Sequence, residues 1–190
     1  MTSLPDISEF PGIGLSEWKA WFTETARIIL QSTPEDGVTI FYQSDIKLEG
    51  AWVDKASLVQ KAAENLGHQQ LWHKIIQRAP TGVATFGRPS YSHMLCFSQK
   101  LKLEPEHSTA DVIDRGAQLW ERGMGWSAAR MAAKFIKERT GSKLLINPFC
   151  GHGTMLVAAQ EVGLDAIGIE RSPKRAEKAR LAEVLGLTKS

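Results

Sequence analysis

Residues 143–146, "KLLI", read as a strand that runs into "NPFCGHGT" (147–154), a loop whose residue types suit the close approach of a ligand. Gly151 and Gly153 carry no Cβ, so a ligand can lie against the backbone. Thr154 opens a helix whose first amides and positive dipole end face an anionic group. Glu170 ends the next strand, "AIGIE" (166–170), where a carboxylate can accept two hydrogen bonds from a ribose diol. A glycine loop followed by an acidic strand tip points to an adenosine-containing ligand. The dinucleotide fingerprint needs a third glycine where this chain has Leu156, and bulky Phe149 and Cys150 precede the first one. The Gly-Lys-Ser/Thr ending of a phosphate loop is absent. With neither pyrophosphate signature, the fitting ligand is S-adenosyl-L-methionine. Its amino-acid carboxylate would meet the helix start, and its ribose Glu170.

Other reactive residues carry weaker expectations. Asp45 follows the strand "GVTIFY" (37–42) at a carboxyl strand end, where α/β sheets collect ligands, so it is placed with the cofactor set. A simple turn aspartate is the competing reading. Lys74 and Arg88 are candidates for phosphate contacts on an acceptor, against a reading as solvated charge. His73, His93 and Cys96 lie on strands and read as packing residues, and His152 points outward from its loop. No His/Cys spacing supports zinc, so no metal is expected.

The elements that must hold these residues can be read in turn. "LSEWKAWFTETARIIL" (15–30) is an amphipathic helix, with Trp18, Trp21, Phe22, Thr25, Ile28 and Ile29 on one side and Ser16 as N-cap. "DKASLVQKAAENLG" (54–67) is a second helix stopped by Gly67. "LWHKIIQR" (71–78) and "YSHMLCFS" (91–98) are strands joined by a loop rich in Pro and Gly. "SAARMAAKFIKERTG" is a third helix, between Ser127 and Gly141. After the glycine loop come the helix "TMLVAAQEVG", the strand 166–170 and a last helix with Ser172 as N-cap, Pro173 at its first turn and Gly186 as terminator. Its charged run "SPKRAEKAR" reads as a solvated face. Strand, loop, helix, strand, helix in the last third predicts an α/β fold with a mainly parallel sheet.

Composition bounds the rest. At 190 residues the chain is read as a single domain, residues 1–190. A net charge of +2 permits a nucleic-acid partner without arguing for one. No apolar run is long enough for a membrane span, and no secretory signal opens the chain. Two distant cysteines fit a reducing, cytoplasmic setting.

The stretch "LLINPFCGHGTMLVAAQEVGLDAIGIERSPKRAEKAR" (144–180) resembles the cofactor region of S-adenosylmethionine-dependent methyltransferases of the permuted type, typified by the amino-methylating DNA methyltransferases. That family carries D-P-F-x-G-x-G-T and a following G-I-E; Asn147 stands where it usually has Asp. The resemblance implies that Asn147, Phe149, Cys150, Gly151, Gly153, Thr154 and Glu170 bind the cofactor. "HKIIQRAPTGVATFGRPSYSHMLCFSQK" (73–100) is similar to the family's antiparallel strand pair, and "GMGWSAARMAAKFI" (123–136) to the helix before the cofactor strand. Residues 15–45 are similar to the helix and strand after the catalytic motif. The implied fold is a Rossmann-like methyltransferase sheet in permuted order with an antiparallel strand pair, which explains why the glycine loop comes late.

The catalytic motif of that family is Asp, Asn or Ser, then Pro-Pro, then Tyr or Phe. Here Ser3-Leu4-Pro5-Asp6 takes its place, so Ser3 and Pro5 match, while Leu4 and Asp6 depart. Without the aromatic, Asp6 is read as a general base on a more acidic acceptor. A polar N-terminal tail is the plain alternative. The expected activity is methyl transfer to a nucleic acid, with RNA favoured over DNA because no large insertion is present to read a duplex. A small-molecule or protein methyltransferase, or an inactive cofactor-binding scaffold, are the alternatives. The motif should end a central strand, yet Thr2 already stands at the chain start, so N-terminal strands are expected to be missing. A strand donated by a second chain would then make a homodimer.

Overall fold

In "TIFYQ" every residue is buried, so the strand it forms, β1 (Thr39–Gln43), must be covered on both faces. The computed structural model describes residues 1–120 and 123–184, and the chain divides into two compact units, residues 4–112 and residues 1–3 with 113–190.

In the first unit, helix α1 (Leu15–Gln31) buries Trp18, Phe22, Ala26 and Leu30, one side chain per turn. It is capped at Gly14 rather than Ser16 and packs on α2 (Lys55–Asn65). Gly67 ends that second helix with φ 72°, the left-handed conformation expected of it. Strand β5 (Tyr91–Ser98) lies between β1 and β4 (Gln69–Gln77), antiparallel to both, with Phe41 opposite Leu95 and Ile75 opposite His93. Phe41 and Phe97 meet edge-on at 6.3 Å, and Trp18 and Phe22 at 5.1 Å, which closes the core. Burying each such side chain contributes roughly 1.5–3 kcal/mol. A hairpin that the sequence reading missed joins β2 (Ile46–Leu48) to β3 (Ala51–Val53). Its turn puts Glu49 and Gly50 at φ 50° and 79°, the left-handed pair that a tight hairpin turn needs. Beyond β5, Ile75 N–H donates to the Asp111 carbonyl (2.8 Å), so the chain runs along β4 just before the short strand β6 (Val112–Asp114).

The second unit has the expected strand–helix–strand–helix order. Strand β7 (Leu144–Asn147) pairs in parallel with β8 (Asp165–Gly168) through α4 (Thr154–Glu161), and α5 (Pro173–Val184) follows. Ser172 takes the expected N-cap place, its carbonyl accepting from Ala176 N–H (2.9 Å). Gly186, expected to end α5, lies outside the described residues. Helix α3 (Trp126–Arg139) starts from Gly125 rather than Ser127 and packs on α4. Ala128, Ala129, Ala132 and Ala133 on α3 and Ala158 and Ala159 on α4 are all fully buried. With methyl groups for side chains, two helices can approach closely. Residues 1–3 lie beside β7, where the missing strand would have ended: the Met1 amino group donates to the Ile146 carbonyl at 3.1 Å. Leu144, Ile146, Ile167 and Ile169 stay exposed along β7, β8 and the residue that follows β8.

Candidate functional site

The glycine loop is held by its own backbone. Asn147 is buried at the end of β7, and its Oδ1 accepts from Phe149 N–H at 3.3 Å. That turn needs an acceptor, not a charge, so Asn serves here. Cys150 N–H donates to the Ile169 carbonyl (3.0 Å) and Ile169 N–H to that of Asn147 (2.9 Å), stitching the loop to the chain leaving β8. Gly151 and Gly153 have φ 56° and 86°. Gly153 is also pressed against α5, since a Cβ there would stand 3.0 Å from that of Ala179. Gly168 is tighter: a Cβ would come within 2.5 Å of Leu156 Cδ1 and 2.7 Å of Cys150 Sγ.

Thr154 is buried at the first position of α4, and Gly153 forms its N-cap. Glu170 is half-buried just past β8, and its Oε1 accepts from Ser172 N–H at 2.7 Å, which orients the carboxylate. Burial, aided by the Glu170 charge, pushes the Cys150 thiol above its ordinary range. The fold thus brings Asn147, Phe149, Cys150, Gly151, Gly153, Thr154 and Glu170 onto one loop and the strand tip beside it.

The first unit treats its expected site residues differently. Asp45 is only 2% exposed, and its carboxylate is taken up internally. Oδ1 accepts from Lys55 N–H (2.8 Å), and Oδ2 from Trp52 Nε1 (3.1 Å) and His93 Nε2 (2.9 Å). Burial raises the Asp45 pKa, but these bonds outweigh it and hold the carboxyl below its usual range. Asp45 therefore ties the β2–β3 hairpin and the first turn of α2 to β5, a task that leaves no oxygen turned toward a ligand. With His93 Nε2 donating to Asp45, its Nδ1 accepts from His73 Nε2 at 2.9 Å. This Asp–His–His chain was missed because it depends on strand register. His73 is two places from Ile75, the residue opposite His93. Ligand atoms of Asp45, Asp54 and His93 lie within 4.8 Å of one another, but the close contact among them is the Asp45–His93 hydrogen bond.

Lys74 also departs from expectation. Its side chain is 2% exposed, and Nζ donates to the carbonyls of Thr109 (3.2 Å) and Ala110 (2.8 Å), with Asp111 Oδ1 at 3.7 Å. That ammonium is spent inside the protein and does not reach out to a phosphate. Arg88 is exposed on the β4–β5 connection, where Thr85 Oγ1 donates to its carbonyl (2.7 Å) and neighbouring Phe86 is 95% exposed.

Asp6 accompanies Lys55, whose buried Nζ stands 3.6 Å from Asp6 Oδ2. Burial holds the Lys55 ammonium below the ordinary lysine range, against the pull of Asp6; Arg88 adds to the lowering. Pro5 and Asp6 belong to the first unit and the exposed Ser3 to the second.

No protein-family model matches the chain, and no curated protein matches it. Solved structures do. TTHA0409 from Thermus thermophilus, assigned as a DNA modification methylase and solved with S-adenosyl-L-methionine, aligns with a TM-score of 0.74 at 16% identity, over 100% of this chain and 86% of that one. PvuII DNA methyltransferase, cytosine-N4-specific, aligns at 0.68 and 13%, over 95% and 77%. The M1.HpyAVI complex with S-adenosyl-L-methionine aligns at 0.63 and 15%, over 96% and 86%. The chain therefore has the α/β fold of these proteins, with parallel and antiparallel strands as expected.

Proposed function

We propose that this chain is an S-adenosyl-L-methionine-dependent methyltransferase acting on a nucleic acid. The observation that carries the reading is the glycine loop between β7 and α4 with oriented Glu170 beside it, set in a fold that TTHA0409 shares while holding that cofactor. The residues fit the group. Gly151 leaves the backbone open to it, Gly153 turns the chain into α4 at φ 86°, the α4 amides suit its carboxylate, and Glu170 suits its ribose. When bound, the cofactor supplies a methyl group on a sulfonium, a good leaving group, so the chain's residues mainly align acceptor and donor.

On the acceptor side, Ser3, Pro5 and Asp6 are the residues proposed to face the nucleophile, with the Lys55 ammonium beside Asp6. Arg88 is the proposed phosphate contact. The PvuII and TTHA0409 proteins are assigned to DNA, which weighs against the RNA preference read from the sequence. Permuted order, a cytoplasmic setting and self-association belong to the same reading. The two free cysteines support the setting, and the exposed apolar side chains along β7 and β8 support self-association.

Calorimetry with S-adenosylhomocysteine tests the core of the proposal. Glu170→Ala should weaken binding at least about tenfold, since a hydrogen bond to a charged group is worth about 1.5–3 kcal/mol. Unchanged affinity would remove Glu170 from the site, and tighter binding of NAD would overturn the cofactor.

A further inference from the structure

Phe86 stands 95% exposed on the connection between β4 and β5, near half-exposed Val83. Burial of a phenylalanine is favourable, so a ring left wholly in water asks what comes to meet it. Single apolar side chains are ordinary on surfaces, but the setting of this one is not.

The backbone holds the ring out. Arg78 and Ala79 N–H both donate to the Ser90 carbonyl (2.7 and 3.1 Å), which closes the base of the connection. Val83 N–H donates to the Pro80 carbonyl (3.2 Å), and Thr85 Oγ1 to that of Arg88 (2.7 Å), so Phe86 lies inside a closed turn. Gly87 follows at φ 77°, a conformation that side chains disfavour, and Pro89 is buried just beyond it. The chain therefore anchors Pro89 and turns Phe86 and Arg88 to solvent.

Charge decides the partner. Residues 78–90 contain Arg78 and Arg88 and no acidic residue. The Arg88 charge acts on the Lys55 ammonium, which itself stands 3.6 Å from Asp6 Oδ2. This end of the connection thus lies by the pair assigned to the acceptor side. An exposed ring with a guanidinium two residues away suits a base and its phosphate.

We propose that the β4–β5 connection docks the acceptor nucleic acid, with Phe86 stacked on an unpaired base and Arg88 on the adjoining phosphate. This rests on reading the acceptor as a nucleic acid and names the residue that meets its base. The glycine and strand signals in the sequence do not point to Phe86.

A single-stranded DNA oligonucleotide carrying one 2-aminopurine tests the proposal by fluorescence titration. Wild-type protein should quench the probe on binding. Phe86→Ala should lose the quenching and bind about tenfold more weakly at fixed salt. It should keep the wild-type slope of log affinity against log salt, whereas Arg88→Ala should lower that slope by about 0.7. Phe86→Trp should retain both affinity and quenching. Phe86→Leu keeps apolar bulk without a π face and should behave as the alanine variant does. Because the ring is exposed, Phe86→Ala should melt in urea with the wild-type protein. Unchanged oligonucleotide affinity in Phe86→Ala, or full affinity in Phe86→Leu, would overturn the stacking role and leave the methyltransferase reading standing. Tighter binding of the wild-type protein to phosphatidylglycerol vesicles than to the oligonucleotide, lost in Phe86→Ala, would assign the connection to a membrane surface instead. Failure of the wild-type protein to bind S-adenosylhomocysteine would overturn the reading beneath the proposal.

Discussion

Lys74→Met separates an internal tether from a phosphate contact. The ammonium holds the carbonyls of Thr109 and Ala110 at 3.2 and 2.8 Å, beside the Ile75–Asp111 backbone bond, so it pins residues 109–111 onto β4. Methionine keeps the buried stem and removes the charged head. Two charge-assisted bonds would be worth about 1.5–3 kcal/mol each with both partners sealed from water. Thr109 and Ala110 are exposed and can rehydrate, and the variant escapes the cost of burying an ammonium. A net loss of about 1–3 kcal/mol is therefore expected in urea melts, with the midpoint lowered and the slope unchanged.

The pH dependence has a definite sign. Burial sets the folded pKa of Lys74 below its ordinary value, against the pull of Asp111. Between the folded and unfolded values the unfolded chain holds more protons, so the wild-type protein gains stability there as pH rises. The deficit of the variant should widen across that alkaline window. Binding to a DNA duplex should show the same dependence of log affinity on log salt as the wild type, whereas Arg88→Ala should lower the slope by about 0.9. A drop of that size for Lys74→Met, with the urea midpoint unmoved, would refute the tether.

Asp45→Asn should cost about 2–4 kcal/mol in urea melts at neutral pH, because three donors lose a charged acceptor. The folded pKa of Asp45 is depressed, so its contribution is present above the unfolded carboxylate value and fades as pH falls through the folded one; the variant should lack that acid dependence. Gly151→Ala and Gly153→Ala both place a side chain at positive φ, but only the second meets Ala179. Gly153→Ala should be the more destabilising by about 1–3 kcal/mol, and equal melting temperatures for the two would contradict the packing described.

The second unit was legible because its signals are local. An apolar run, two glycines, a capping serine and a proline each act within a few residues, and β7, α4, β8 and α5 fall within about two residues of expectation. Strand β5 matches its expected bounds, 91–98. The Asp45 network was not legible because it depends on which residues the register sets opposite one another. Strands β2 and β3 have three residues each, too few to show alternation, and their turn uses Glu49-Gly50 in place of the usual Asn-Gly. Lys74 is hidden for a related reason. Its sequence neighbours do not show that carbonyls 35 and 36 residues later receive its ammonium.

The alanines between α3 and α4 set how freely the sequence can drift. Each is fully buried and the two helices pack on one another, so glycine is the one smaller residue that could replace them. Any larger side chain would push α4 outward, carrying Gly153 and Thr154 at its start with it. Over long descent, then, this seam should change least among the helix contacts of its unit. A catalogue of tolerated substitutions would trace it as a stripe of small residues.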